Sequence, residues 1–289
     1  MTLNWRLLAC IQMNSRFAEI SRTVFFQATL FITGNLIMMT LFFTFIPAVI
    51  IQNKISIEPG TAIEETKKLV ESQLTELLNK PGKLEKEYFT LATEKSPAVL
   101  LWNNFFWLIA FLLPAVWAYK KFKEPFNNLS DPIHPAALFG GFLVGLFTIS
   151  FVFTVTRILA GLGVNLKGND LHEMLFRNLR GNQDLFLWSV YSVGILTGII
   201  EEVFFRGFLF TQFRDKNLPM EGLFFSSVIF GSVHYSPEAS IFVPVMLTFV
   251  GFIFGYSYFK TGNIWVAITA HTTYNSTLLV IAYLAGEAL

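Results

Sequence analysis

The chemistry-bearing residues of this sequence begin with two adjacent carboxylates inside an apolar run. They sit in Gly198-Ile199-Ile200-Glu201-Glu202-Val203-Phe204-Phe205-Arg206-Gly207, and Phe208, Leu209 and Phe210 continue the run. Ionisable side chains at membrane depth are costly, so a pair of them points to function. On a helix, Gly194, Gly198, Glu202 and Arg206 recur at four-residue spacing and share one face. That face passes from small residues suited to close helix packing into an acid–base pair. Glu201 points about 100° away and has no partner on its own helix. The competing reading is a structural salt-bridge cluster at the membrane interface.

Two further segments supply imidazoles. His234 closes Phe230-Gly231-Ser232-Val233-His234, while His271 and Asn275 lie in Ala270-His271-Thr272-Thr273-Tyr274-Asn275 and share a helix face. Taken singly, His234 reads as a hydrogen-bonded residue at a helix end, and His271 with Asn275 as interhelical glue. Taken together, none of these groups can face lipid cheaply, so the three segments should converge. A carboxylate and a His can then activate a water as general base. A second His and an Asn can polarise the attacked carbonyl, which completes the parts needed for peptide hydrolysis. A zinc protease is an alternative, since the donor types suit zinc, but no HExxH-type pair is present and Arg206 would repel a cation.

In order and spacing, Glu201-Glu202-x-x-x-Arg206, Phe230-x-x-x-His234 and His271-x-x-x-Asn275 resemble the three signature motifs of the CAAX-protease and bacteriocin-processing (CPBP, or Abi) family. That family includes the Rce1-type prenyl endopeptidases. The resemblance covers roughly residues 185–284 and implies a glutamic intramembrane endopeptidase. It implies that Glu201 and His234 activate the water, that His271 and Asn275 form the oxyanion site, and that Glu202 and Arg206 orient them. It also implies no cofactor and no metal, and a membrane-associated protein or peptide as substrate. Some family members are assigned immunity or scaffold roles, so a non-catalytic membrane protein of the same fold is the other reading.

The elements that must position these groups follow from composition. Of 289 residues, 53% are hydrophobic and 14% charged, with 33 Phe, whereas soluble domains carry about 25% charged residues. The charges gather between apolar stretches of about 20 residues, the length that spans a bilayer core. The expected fold is therefore all-α, a polytopic bundle of about seven transmembrane helices. Expected spans are 24–51, 98–119, 136–160, 185–210, 222–234, 239–259 and 264–284, with no internal repeat. Arg6, Arg16 and Arg22 precede the first span as in a signal peptide, but that span far exceeds a ~7–15-residue signal core and is read as retained.

Between the first two spans lies a segment from Gln52 to Pro97 dense in Lys and Glu. Ile63, Thr66, Leu69, Val70, Leu74, Leu77 and Leu78 recur near helical spacing from Ala62 to Lys80, predicting an amphipathic helix that Pro81-Gly82 ends. A second helix is expected over 84–93 and an interfacial one over 170–179. This insertion reads either as a solvated extramembrane segment or as a cap over the site. The chain thus divides into 1–97, the first span with its insertion, and 98–289, the bundle, with the catalytic core at 185–284.

Short-loop Lys and Arg, namely Arg6, Arg16, Arg22, Lys120, Lys121, Lys123, Arg214, Lys216 and Lys260, fall on one side of seven spans, which is expected to be cytoplasmic with the amino terminus. The net charge of +1 and the absence of a basic patch exclude nucleic-acid partners and leave the bilayer and the substrate. The lone Cys10 allows no internal disulfide. Nothing in the sequence fixes the oligomeric state.

Overall fold

The computed structural model describes residues 5–55, 63–80, 82–123, 125–127 and 129–285, with side chains from residue 15 onward. The Arg6 and Cys10 side chains, and Ala62 and Pro81, lie outside that description. Among the described residues there are ten helices and no strands. They are α1 (Trp5–Lys54), α2 (Ile63–Leu78), α3 (Lys83–Glu94), α4 (Pro97–Phe122), α5 (Pro135–Gly161) and α6 (Asp170–Leu179). A composite helix α7 over 183–214 follows, then α8 (Pro219–Ser232), α9 (Phe242–Thr261) and α10 (Ile264–Ala285). Lipid offers no partner for a backbone amide, so a chain this apolar satisfies its N–H and C=O groups within helices.

Four of these helices are long and apolar enough to cross a membrane: α1 from Ser15, α4, α5 and α9. The other three expected spans are the motif-bearing ones, α7, α8 and α10. They depart from a plain apolar span because they carry the site: α7 holds Glu201, Glu202 and Arg206, and α10 holds His271 and Asn275. Helix α8 has only 14 residues. Helix α1 also departs from expectation, because it starts far ahead of the apolar run and continues through it without a break. Its amino-terminal turns carry Arg16 to Glu221 in the first turn of α8 and Glu19 to Lys216 in the loop before it.

Contacts sort the loops onto two faces. On one, Arg16 pairs with Glu221, Lys216 with Glu19 (3.7 Å), Arg214 donates to the Tyr258 hydroxyl (2.8 Å), and Asn263 donates to Pro132 O (3.0 Å). On the other, Lys54 pairs with Glu87 (2.6 Å), Tyr88 donates to Val99 O (2.8 Å) and Ser240 N–H to Lys167 O (2.8 Å). That second face has a core of its own. Leu84, Tyr88 and Leu91 of α3 pack there with Leu175 and Leu179 of α6, Leu185 of α7 and Leu279 of α10. The inserted α2–α3 pair is therefore divided in role: α3 is docked into the bundle end, while α2 buries only Leu77.

Candidate active site

Helix α7 is not regular. Its α-helical turn Thr197–Glu202 lies between two π-helical stretches, Val190–Leu196 and Val203–Phe210. A π-turn shifts its hydrogen bonds to the fifth residue and is often found at functional sites. Here each stretch is closed by a threonine hydroxyl donating five residues back, Thr197 to Ser192 O (3.1 Å) and Thr211 to Arg206 O (2.8 Å). Asn104 of α4 holds the first stretch from outside, donating to Ser192 Oγ (2.6 Å) and accepting from Thr197 Oγ1 (3.0 Å).

Glycines bring α7 against α10. A Cβ at Gly194 would lie 2.6 Å from Ser276 Oγ, and one at Gly198 2.8 Å from Thr272 Oγ1 and 3.2 Å from the Thr272 backbone nitrogen. One turn further along the same face, Glu202 meets His271. Glu202 Oε1 accepts from His271 Nδ1 (2.8 Å) and from Arg206 Nη1 (2.8 Å), and all three residues are buried. Arg206 also donates to Gly251 O of α9, and its guanidinium lies over the Phe230 ring (5.0 Å) with Phe205 and Phe254 each at 5.9 Å. Desolvated cation–π contacts of this kind strengthen a buried charge pair.

Glu201 occupies a different position. It is buried, makes no hydrogen bond among the described residues, and its Oε2 lies 3.9 Å from His271 Nε2. His271 therefore stands between the two carboxylates, with Phe254 stacked on its ring at 5.1 Å and 29°.

The structure brings Glu201, Glu202, Arg206 and His271 into one contiguous group. His234 is one aromatic ring away: the Phe230 ring centroid is 5.1 Å from that of His234 and 5.6 Å from that of His271. His234 lies just past the end of α8, partly buried, with Nδ1 2.7 Å from Phe230 O. A carbonyl can only accept, so this bond places a proton on Nδ1 and, in the neutral ring, a lone pair on Nε2. Asn275 stands one turn beyond His271 and donates to Val193 O in the first π stretch (3.0 Å), with its second amide hydrogen uncommitted.

Two participants escape a reading of the sequence. The Gly251 carbonyl and Asn104 are ordinary residues made relevant only by tertiary contact. The α6 loop is fixed at this rim by the Ser240–Lys167 bond and by the Lys167–Asp170 pair (2.9 Å), which raises the Lys167 pKa. Among the described residues no group of three or more His, Cys, Asp and Glu side chains could hold a metal ion.

Residues 183–277 match the family described as type II CAAX prenyl endopeptidase Rce1-like. The match covers 95 of the 289 residues, about a third of the chain. The matched stretch runs from the first residue of α7 to just past Asn275 and so encloses all six candidate residues. Three Bacillus subtilis (strain 168) proteins are similar to parts of the chain. "Uncharacterized protein YyaK" is 28% identical over 180 residues, 58% of this chain and 56% of YyaK. "Putative membrane peptidase YdiL" is 38% identical over 158 residues, 54% of this chain and 60% of YdiL. "Uncharacterized protein YpbD" is 34% identical over 77 residues, 27% of this chain and 36% of YpbD. The chain thus spans less than two thirds of the length of each of these relatives. No solved structure matches it.

Proposed function

We propose that the chain is an intramembrane endopeptidase of the glutamic type, acting on a membrane-associated or lipidated protein or peptide. The observation that carries this reading is the asymmetry of the two carboxylates: Glu202 Oε1 is bound by both Arg206 and His271, while Glu201 has no hydrogen bond among the described residues. The match of residues 183–277 to the Rce1-like family and the name of YdiL support the same reaction class.

In this reading Glu201 takes a proton from a water that also bonds to the lone pair on His234 Nε2, and the water oxygen adds to the scissile carbonyl carbon. The oxyanion accepts from the second amide hydrogen of Asn275 and from His271 Nε2–H. With His271 as imidazolium, two carboxylates and two cations cancel, so the buried group is neutral overall. Glu202 holds His271 by Nδ1 and so fixes where Nε2 points. As the C–N bond breaks, the proton on Glu201 passes to the leaving nitrogen.

Membranes from cells expressing the wild type and Glu201→Gln are to be compared by mass spectrometry of protein termini. New termini present only with the wild type identify a substrate, and turnover on a peptide spanning that bond should fall about 100-fold or more in the variant. The folded yield should stay unchanged. Wild-type cleavage should also survive prolonged dialysis against a strong chelator; loss on chelation with recovery on added zinc would transfer the site to a metalloprotease. Identical sets of termini and near-normal turnover in Glu201→Gln would return the cluster to a structural role.

A further inference from the structure

A cavity of about 950 Å³ lies outside the catalytic group, in the cleft between α5 and α9 above α10. That volume is at the upper end of small-molecule sites. Its walls are apolar along their length: Gly140, Val144 and Phe147 follow one face of α5, and Phe252 and Tyr256 face them from α9. Its polar end is formed by Asp131, His134, Lys260 and Asn263. From His134 to Phe147 is 13 residues of helix, or about 20 Å. A single leaflet of a ~30 Å core is about 15 Å deep. The slot therefore opens at one membrane face and ends near the midplane.

The polar end is equipped for an anion. Lys260 is exposed, makes no ion pair among the described residues, and has its ammonium over the rings of Tyr256 and Phe259. His134 Nδ1 accepts the Ala137 N–H at 3.2 Å, so the neutral ring carries its proton on Nε2 as a free donor. The Asp131 carboxylate shares this end, with its Oδ2 accepting from Ile264 N–H and from the Asn127 amide, both at 2.7 Å, which leaves Lys260 as the cation and His134 as the neutral donor for a phosphate. A cation and a neutral donor at the head of a one-leaflet apolar slot suit the phosphate and acyl chain of a membrane lipid.

We propose that this slot binds an anionic glycerophospholipid of that leaflet, with its phosphate at Lys260 and His134 and one acyl chain lying between α5 and α9. Bound there, the lipid bridges two helices that both serve the site: α9 supplies Gly251 O to Arg206 and Phe254 to His271, and α5 packs on α10 at Gly141 and Gly145.

The test uses purified full-length protein and a readout independent of proteolysis. Native mass spectrometry measures retention of phosphatidylglycerol against phosphatidylcholine of the same chains, for the wild type, Lys260→Gln and Gly140→Trp. A Cβ at Gly140 meets nothing within 4 Å, so the indole enters the slot without disturbing the packing. The wild type should retain phosphatidylglycerol preferentially and be stabilised by it against heat. Lys260→Gln should lose about fivefold of that preference, the worth of one lysine at an anionic surface. Gly140→Trp should lose retention of both lipids while melting like the lipid-free wild type. Equal retention of the two lipids by the wild type, or preference unchanged in both variants, would overturn the proposal. So would displacement of phospholipid by a lipid-modified peptide, which would assign the slot to substrate.

Discussion

At Glu202 one carboxylate oxygen serves both Arg206 and His271, so deleting this side chain leaves a guanidinium buried among three phenyl rings. Breaking a buried pair by removing one partner costs about 3–5 kcal/mol. Glu202→Ala should therefore lower the folded yield and the unfolding temperature in detergent as well as activity, where Glu201→Gln lowers activity alone. Replacing Glu202 and Arg206 together by Leu should recover folded yield relative to either single change, because no uncompensated charge remains. A double variant less stable than both singles would show that the pair is not the stabilising unit. The Glu202–Arg206 pairing is legible in the sequence because four-residue spacing is a local property of a helix. The bonds of His271 to Glu202 and of Asn275 to Val193 O are not, since they depend on the offset between α7 and α10, which no local pattern encodes.

That offset belongs to the elements. Gly194 and Gly198 let α7 approach Ser276 and Thr272, and the motif glutamates are placed by this contact. Gly198→Ala should push the helices apart and reduce both stability and turnover, because its Cβ meets backbone as well as a hydroxyl. Gly140→Ala, in open space on α5, should instead stabilise by about 0.5–1 kcal/mol through helix propensity. Thermal unfolding of the two variants side by side checks the opposite signs; like signs would mean that α7 and α10 are not clamped at Gly198. The helices themselves were largely readable. The interfacial helix falls at Asp170–Leu179 and the inserted pair at Ile63–Leu78 and Lys83–Glu94, near their expected places, because amphipathic spacing survives in aqueous or interfacial segments. The π stretches of α7 left no such trace, as apolar residues look alike whether their amides bond four or five residues back.

Across the whole molecule, the two loop faces fit seven crossings, with Arg16, Arg214, Lys216 and Lys260 on one side and Lys54, the inserted helices and Lys167 on the other. The Lys/Arg bias predicts that the first side is cytoplasmic. In a Cys10→Ala background, single cysteines at Glu76 and Lys121 should differ in intact cells: an impermeant maleimide should label position 76 and leave 121 untouched, and the reverse would invert the orientation. Helix α8 then carries a physical consequence for the bilayer. Its 14 residues measure about 21 Å, roughly 9 Å less than a ~30 Å hydrocarbon core, and His234 lies just beyond its end. Irregular backbone at that depth is tolerated only against protein or water. The loop after α8 meets that condition on one side through the Ser240–Lys167 bond, and a thinned membrane or a hydrated dimple would meet it on the other. Either deformation would carry bulk water down to the imidazole, so a hydrolase working below the lipid surface would draw its co-substrate through the shortness of a single helix.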